Sequence, residues 1–507
     1  MSGFVVARGQ AAPVDVKRMF ERIRHRGSYL SGTYDRSNVV AAQNYLRADC
    51  PLAERGAVEV PVGARHGSDL RICYDGQMGD SAALAREAGV ASGPFLEERA
   101  LLQLYSDKGS AMLERLNDAI FAFVIIDGDE ILAARDLLGI KTLFYGWRDR
   151  TLYLASELKS LLEITEDVHE FPPGHFMDSA GRLTRFASLP QTAPEPWPEG
   201  PDAIADRVYE IIDRSVRSRV DFVRPTACLL SGGMDSSAVT HFAAKLHRER
   251  FGSAQPITTY TVGAAGSTDI ANARIMAEHV GSEHRELTMD LDLALEVLPA
   301  VIYAVESFDP SLVRSAVSNF LISRQASRDG FEILLSGEGG DEIFCGYTYL
   351  KDSAAESLFA RQMDCLRFLH NNAALRLDHA NLCNSIRVVA PLISGELFDY
   401  SLSIPAEYKQ GSVDGQKLGK WIFRKALKRV LPEAITQRVK QEFSEGSGSA
   451  QLLPQHFESV YSDAELAEVQ AEYPVVRRKE ELHYFRLFTE RFGTGRAIQT
   501  VGQWPYL

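Results

Sequence analysis

The run Ala227-Cys228-Leu229-Leu230-Ser231-Gly232-Gly233-Met234-Asp235-Ser236-Ser237 concentrates residue types that handle phosphate. Two glycines let the backbone approach phosphate oxygens without a Cβ in the way. Hydroxyls and free backbone N–H groups at a helix start can donate to that anion. Asp235 adds a carboxylate that can hold Mg²⁺ on a pyrophosphate. No Lys follows the glycines, so this is not the Gly-x-x-x-x-Gly-Lys-Ser/Thr loop. A second run, Ser336-Gly337-Glu338-Gly339-Gly340-Asp341, again joins glycines to a hydroxyl and carboxylates.

These runs need elements to hold them. The pattern after residue 203 predicts helix over 203–220, strand over 226–230, helix over 237–248, strand over 258–262 and helix over 270–280 ending at Gly281. Helices at 293–305 and 313–327 and a strand at 332–335 complete the alternation, and 350–430 reads as mostly helical. Strands alternating with helices imply a doubly wound parallel sheet covered on both faces. Both glycine runs follow strands directly, which places them at the carboxyl-end rim where such sheets bind ligands. Before residue 188 the short apolar runs 4–7, 39–42, 119–126, 131–134, 143–145 and 152–155 read as stacked sheets with a few helices. Between these patterns, 188–203 holds five prolines and reads as a linker, dividing 1–187 from 204–507.

At 507 residues the chain should hold at least two domains. Its 45% apolar and 24% charged content is that of a soluble globular protein, and no apolar run is long enough to span a membrane. The N-terminus lacks the pattern of a secretory signal. Cysteines at 50, 73, 228, 345, 365 and 383 form no Cys-x-x-Cys pair, so neither a zinc site nor a disulfide framework is expected and a cytoplasmic setting fits. The net charge of −13 argues against a nucleic-acid partner.

Ser231–Gly233 with Asp235-Ser236-Ser237 resembles the Ser-Gly-Gly-x-Asp-Ser-Ser loop of ATP pyrophosphatases, and the chain over about residues 1–450 resembles class B asparagine synthetase. The motifs occur in the family's order: Arg24-His25-Arg26-Gly27, Phe121-Ala122-Phe123, Ala134-Arg135-Asp136 through Lys141, Ala155-Ser156-Glu157-Leu158-Lys159, and Phe171-Pro172-Pro173-Gly174. Then follow Glu306-Ser307-Phe308-Asp309-Pro310 with Arg314, Leu335 through Tyr347, Lys420-Trp421-Ile422-Phe423-Arg424, and Arg438-Val439-Lys440-Gln441-Glu442-Phe443. The resemblance implies an N-terminal-nucleophile (Ntn) hydrolase-like α+β sandwich followed by an ATP pyrophosphatase domain, so an α/β protein overall. It implies ATP and Mg²⁺ as cofactors. Asp235 and Asp341 are the expected metal ligands. Leu230, Ser231, Gly232, Gly233, Asp235, Ser236, Ser237, Val262, Ser336, Gly337 and Lys420 are expected to bind the nucleotide. Adenylating a carboxylate collects charge on phosphorus and on the leaving pyrophosphate, for which Arg314 and Lys440 are the candidate cations and Lys420 a weaker one. An attacking amine must lose a proton to a base. Glu338 stands at the family's base position, and Asp378 aligns with its acidic partner. The partner is a small amino-acid substrate, and the family often forms dimers, so a homodimer is an expectation.

The chain departs from the family in two places. Ser2 stands where the family has its catalytic N-terminal Cys, and an unactivated hydroxyl is a far weaker nucleophile than a thiolate. The family's Asn-Gly-Glu-Ile-Tyr-Asn reads Asp75-Gly76-Gln77-Met78-Gly79-Asp80, so an acceptor replaces an oxyanion-hole donor; Glu97 is a loose match for the acid that follows. Cys50 and Cys73 read as core thiols. In the second half, Val-Glu-Ala-Arg-Val-Pro-Phe-Leu-Asp becomes a shorter segment with Ala390-Pro391-Leu392-Ile393-Ser394, so the acyl substrate can differ from aspartate. The expectation is an AMP-forming amide ligase that uses ammonia or a substrate amine and not glutamine. The alternatives are intramolecular amide formation, as in β-lactam synthetase, and a non-catalytic scaffold.

Overall fold

The computed structural model describes residues 2–10, 13–36, 38–49, 70–351, 353–413, 416–441 and 443–504. It divides into two compact units. One comprises Met1–Leu189, Leu369–Arg387 and Phe488–Gly502; the other comprises Pro190–Phe368, Val388–Leu487 and Gln503–Leu507. The division falls between Leu189 and Pro190, inside the Pro-rich segment. That segment is packed, however: Trp197 donates from its backbone to Ser403 O at 2.8 Å and from its indole to Tyr400 O at 3.0 Å. The grouping of 369–387 and 488–502 with the first unit has no counterpart in the sequence pattern.

In the first unit the strands are β1 (Ser2–Arg8), β2 (Leu30–Arg36), β3 (Val39–Tyr45), β4 (Leu70–Met78), β5 (Ala119–Asp127), β6 (Glu130–Arg135), β7 (Phe144–Arg148), β8 (Thr151–Ala155), β9 (Val168–Glu170), β10 (His175–Asp178) and β11 (Leu183–Arg185). They form two sheets, β2-β3-β1-β8-β7-β9 and β11-β10-β6-β5-β4, with antiparallel pairing. Alternation along β5 explains the layering. Ala122, Val124 and Ile126 face Phe4, Val6 and Leu154 of the other sheet, while Phe121, Phe123 and Ile125 face Leu101 and Leu104 of the helix Leu96–Lys108. Cys73 lies fully buried in the core between the sheets, and burial pushes its thiol far above the usual range. Cys50 lies outside the described residues.

In the second unit β12 (Thr226–Leu229), β13 (Thr258–Gly263), β14 (Glu283–Thr288), β15 (Ile333–Leu335) and β16 (Arg387–Val389) form a sheet in the order β14-β13-β12-β15-β16. Neighbours from β14 to β15 run parallel. The chain moves outward from β12 to β14 and then returns to lay β15 on the other side of β12. The order therefore reverses between β12 and β15, which opens a crevice at their carboxyl ends. Helices Met234–Phe251, Thr268–Val280 and Pro310–Arg328 pack on the sheet, and Leu291–Val305 packs against Pro310–Arg328, all where sequence periodicity expects helix. Strand β14 has no such forewarning, because Glu-His-Arg-Glu-Leu-Thr is a polar edge strand with weak alternation.

Candidate active site

The two glycine runs meet at this crevice. Leu230 and Ser231 follow β12, Gly233 caps the helix Met234–Phe251, and Ser336 follows β15. Leu230 and Val262 are buried, and Leu230 N donates to Tyr260 O at 2.8 Å. Gly232 adopts φ +68°, and a Cβ there would lie 2.3 Å from the backbone of Asn272. Only glycine suits that turn and that close approach. Ser236 Oγ returns to Ser231 N at 3.2 Å and to Ser231 Oγ at 3.1 Å, which closes the loop on itself. A Cβ on Gly337 would lie 2.4 Å from Ser236 N, and one on Gly340 would lie 2.3 Å from Asp235 Oδ1. The second loop thus approaches Asp235 and Ser236 of the first so closely because it carries glycine at both points.

That contact sets Asp235 beside Asp341, and two lysines join them. The Lys420 ammonium is bonded to Asp235 Oδ2 and lies 2.6 Å from Asp341 Oδ1, and Lys440 Nζ lies 2.6 Å from Asp341 Oδ2. Burial opposes ionisation of Asp341, but the ammonium groups of Lys420 and Lys440 outweigh it and hold this carboxyl well below the usual range. Asp235 moves the other way: burial raises it and Lys420 only partly compensates. Asp235 Oδ1 is buried with no hydrogen-bond partner among the described residues. Two non-glycine residues beside the cluster, Cys345 (φ +54°) and Lys420 (φ +59°), stand in the left-handed region, a strain that surrounding packing must sustain. A Cβ on Gly346 would lie 1.9 Å from Lys420 Cε, so a glycine makes the room that Lys420 fills.

Further residues complete the rim. Arg438 donates to Ser231 O at 3.0 Å and pairs with Asp269 at 2.6 Å, which fixes the phosphate-type loop from behind. In the sequence Arg438 stands out only as a neighbour of Lys440; its place in that short basic run is the one signal that points to it. Glu338, partly exposed, lies in the turn between Ser336 and Asp341, where its N–H donates to Ser336 Oγ at 3.3 Å. Ser237 is fully buried on the first turn of its helix. Arg314 is engaged elsewhere: its guanidinium grips Glu480 two-pronged, with Nε 3.0 Å from Oε2. No sequence signal announces Glu480 as its partner.

Asparagine synthase patterns match residues 207–374 and 359–485, and the glutamine amidotransferase domain pattern matches residues 1–178. A probable glutamine-hydrolyzing asparagine synthetase of Schizosaccharomyces pombe is 32% identical over 440 residues, covering 80% of this chain and 77% of its own length. The chain belongs to the asparagine synthase family. It is a carbon–nitrogen ligase. Asparagine synthetase [glutamine-hydrolyzing] 2 of Lotus japonicus is 28% identical across 95% of this chain and 84% of its own, and asparagine synthetase 3 of Arabidopsis thaliana is 29% identical across 99% and 88%. Likeness among solved structures is partial: the glutamine phosphoribosylpyrophosphate amidotransferase of B. subtilis aligns with 56% of this chain and 81% of its own at 13% identity, with a TM-score of 0.32.

Asp378, which the resemblance aligns with the acidic partner of the base, is ion-paired within the first unit. The helix Ala373–Leu382 belongs to the first unit, and there Asp378 pairs with Arg26 at 2.6 Å and with Lys141 at 2.7 Å. The physical reason is charge matching in the interior. Asp75 takes the same two cations, Arg26 at 2.7 Å and Lys141 at 3.4 Å, which closes a ring of two acids and two bases. Glu157 extends the ring to Arg26 at 3.0 Å, Lys159 at 2.6 Å and His25 at 2.9 Å. Arg26, Lys141 and Lys159 thus balance Asp75, Glu157 and Asp378, the condition under which buried charge is tolerated. Burial works against the Asp378 carboxylate, but Arg26 and Lys141 hold it well below the usual range. Glu97, the loose match to the family's acid in this unit, accepts from Tyr74 Oη at 2.6 Å and from Met78 N at 3.2 Å.

Proposed function

We propose that this ligase activates a carboxylic acid with ATP as an acyl-adenylate, releases pyrophosphate, and forms an amide with ammonia or a substrate amine without hydrolysing glutamine. The observation that carries the reading is the pair of carboxylates and pair of ammonium groups at the β12/β15 crevice. Backbone N–H groups and hydroxyls of Ser231–Ser237 suit the phosphates. Asp235 and Asp341 fit Mg²⁺: both are carboxylates, and a buried unpartnered oxygen on Asp235 suits a hard cation whose shell phosphate oxygens and water would complete. That ion would neutralise phosphate charge.

The chain's own groups then account for the steps. A substrate carboxylate oxygen attacks the α-phosphorus, the bond to the bridging oxygen breaks, and pyrophosphate leaves with its charge met by Lys440 and Lys420. The amine attacks the acyl carbon, Glu338 takes the proton, and AMP departs. Against glutamine as nitrogen source stands the first unit. Asp75 has 0% side-chain exposure and its charge is spent on Arg26 and Lys141, so it offers no donor to an oxyanion. Intramolecular amide formation is a second reading. Its motive is a changed acyl pocket: Ser394, which caps the helix Gly395–Leu402 by accepting from Leu397 N at 3.3 Å, stands where the family segment has an acid.

Pyrophosphate release from ATP and Mg²⁺, across a panel of amino diacids with glutamine, ammonium or neither, tests both readings. Turnover that needs ammonium, with glutamine inert, supports the main reading. Turnover with no added nitrogen, giving a product lighter by one water, supports the second. Glutamine serving as well as ammonium overturns both.

A further inference from the structure

The helix Gly340–Ile343 carries Asp341 but has only four residues, too few to hold itself in water. The chain then passes through Cys345 in the left-handed region. Something outside this turn must fix it. The segment Gln503–Trp504, which belongs to the second unit, supplies the contact. The Trp504 ring is 6% exposed and lies 5.8 Å from Tyr347, 5.8 Å from Tyr349 and 5.0 Å from Phe368, in one cluster with Cys345 and Leu350. Tyr347 in turn donates to Glu342 Oε1 at 2.6 Å, and Glu342 adjoins Asp341. The Trp504 backbone faces another element. Its N–H donates to Asp309 Oδ2 at 2.9 Å, and its carbonyl accepts from Arg477 at 2.9 Å. Arg477 also reaches Asp309 Oδ2 at 3.2 Å, while Asp309 Oδ1 caps the helix Pro310–Arg328 through Leu312 N at 3.2 Å. Arg314 lies on the second turn of that helix. Glu481, fully buried, holds Arg477 at 2.9 Å and accepts from Gln503 at 3.1 Å.

We propose that Trp504 is a positioning residue of the ligase site: its ring holds the turn after Asp341, and its backbone holds the start of the Arg314 helix. The catalytic consequence rests on the function proposed above. The strap itself does not. Trp504 joins both segments, so loosening it releases both together, and a small displacement of Asp341 is costly because phosphoryl chemistry depends on placement.

Full-length W504A, W504F and R477Q test this, with amide hydrogen exchange and the kcat of pyrophosphate release read on the same preparations. W504A should exchange about tenfold faster at 311–314 and at 340–347 while 258–263 stays unchanged, as release of two local segments requires. Its kcat should fall about tenfold to a hundredfold with the KM for ATP nearly unchanged, and W504F should lie between W504A and wild type. R477Q removes the cation but keeps an amide donor for Asp309 and Glu481, and it should speed exchange at 311–314 by about threefold. Unchanged exchange at 311–314 in R477Q, or at either segment in W504A, overturns the strap. Faster exchange with unchanged kcat overturns the positioning role. Faster exchange beside a wild type that never releases pyrophosphate supports the strap and removes the ligase reading.

Discussion

Lys420 bridges Asp235 and Asp341, with Nζ 2.6 Å from Asp341 Oδ1 and in direct contact with Asp235 as well. One ammonium therefore links the loop after β12 to the loop after β15. Replacing Lys420 with Met should lower kcat for pyrophosphate release by about 10²–10³-fold, the scale of losing one preorganised charge. D235N should lose at least as much. Steady-state pyrophosphate release at saturating ATP measures both, and near-wild-type rates in either variant would place the chemistry elsewhere.

Gly346 makes room for Lys420, because a Cβ there would lie 1.9 Å from Lys420 Cε and 2.2 Å from Asp341 Oδ1. G346A should therefore displace the ammonium and act like K420M, while overpacking costs stability only by about 1–3 kcal/mol. The informative comparison is kcat against the unfolding midpoint. A variant that folds normally and turns over normally contradicts the assigned place of Lys420.

On the proposed function, a thiol at position 2 should not by itself confer glutamine hydrolysis. S2C supplies a better nucleophile, but Asp75 remains ion-paired to Arg26 and Lys141 and remains an acceptor. Ammonia release from glutamine should stay at background in S2C after removal of the initiator Met. Release above background would show that Asp75 is no obstacle.

His379 makes stability depend on pH. Burial pushes its imidazole down from 6.5 to about 4, against the pull of Glu157, and Nε2 sits 2.9 Å from Thr142 Oγ1. Between those values the unfolded chain binds a proton that the folded chain does not. Stability is therefore complete above about 6.5 and falls as pH drops toward 4, by up to ~3 kcal/mol for this group. Urea midpoints between pH 4.5 and 7.5 should show the slope, and H379Q should reduce it, with His241, also lowered to about 4 by burial, keeping part of it. An equal slope in H379Q would assign the effect to other groups.

How much of this was legible follows from range along the chain. The phosphate-type loop, the second glycine run and the parallel sheet are written in short stretches, since glycine, hydroxyl and carboxylate at fixed offsets after an apolar run dictate a strand, a tight turn and a helix start. Asp235, Asp341, Lys420 and Lys440 are each written into such a stretch, and the fold sets the four side by side. Glu480 as the partner of Arg314, and Arg438 as the brace behind Ser231, were not legible, because an ion pair between distant helices leaves no spacing in the sequence.

Asp378 marks the boundary most sharply. By itself, the sequence determined residue chemistry and local conformation: where an anion can be cradled, that position 2 carries a hydroxyl, and that position 75 carries an acceptor. Tertiary structure alone decided that the helix carrying Asp378 lies in the first unit, where Arg26 and Lys141 claim it. Local propensities act over a few residues. The choice of partner for a buried charge depends on which opposite charges the folded chain brings within a few ångströms, and the cost of leaving such a charge unpaired enforces that choice.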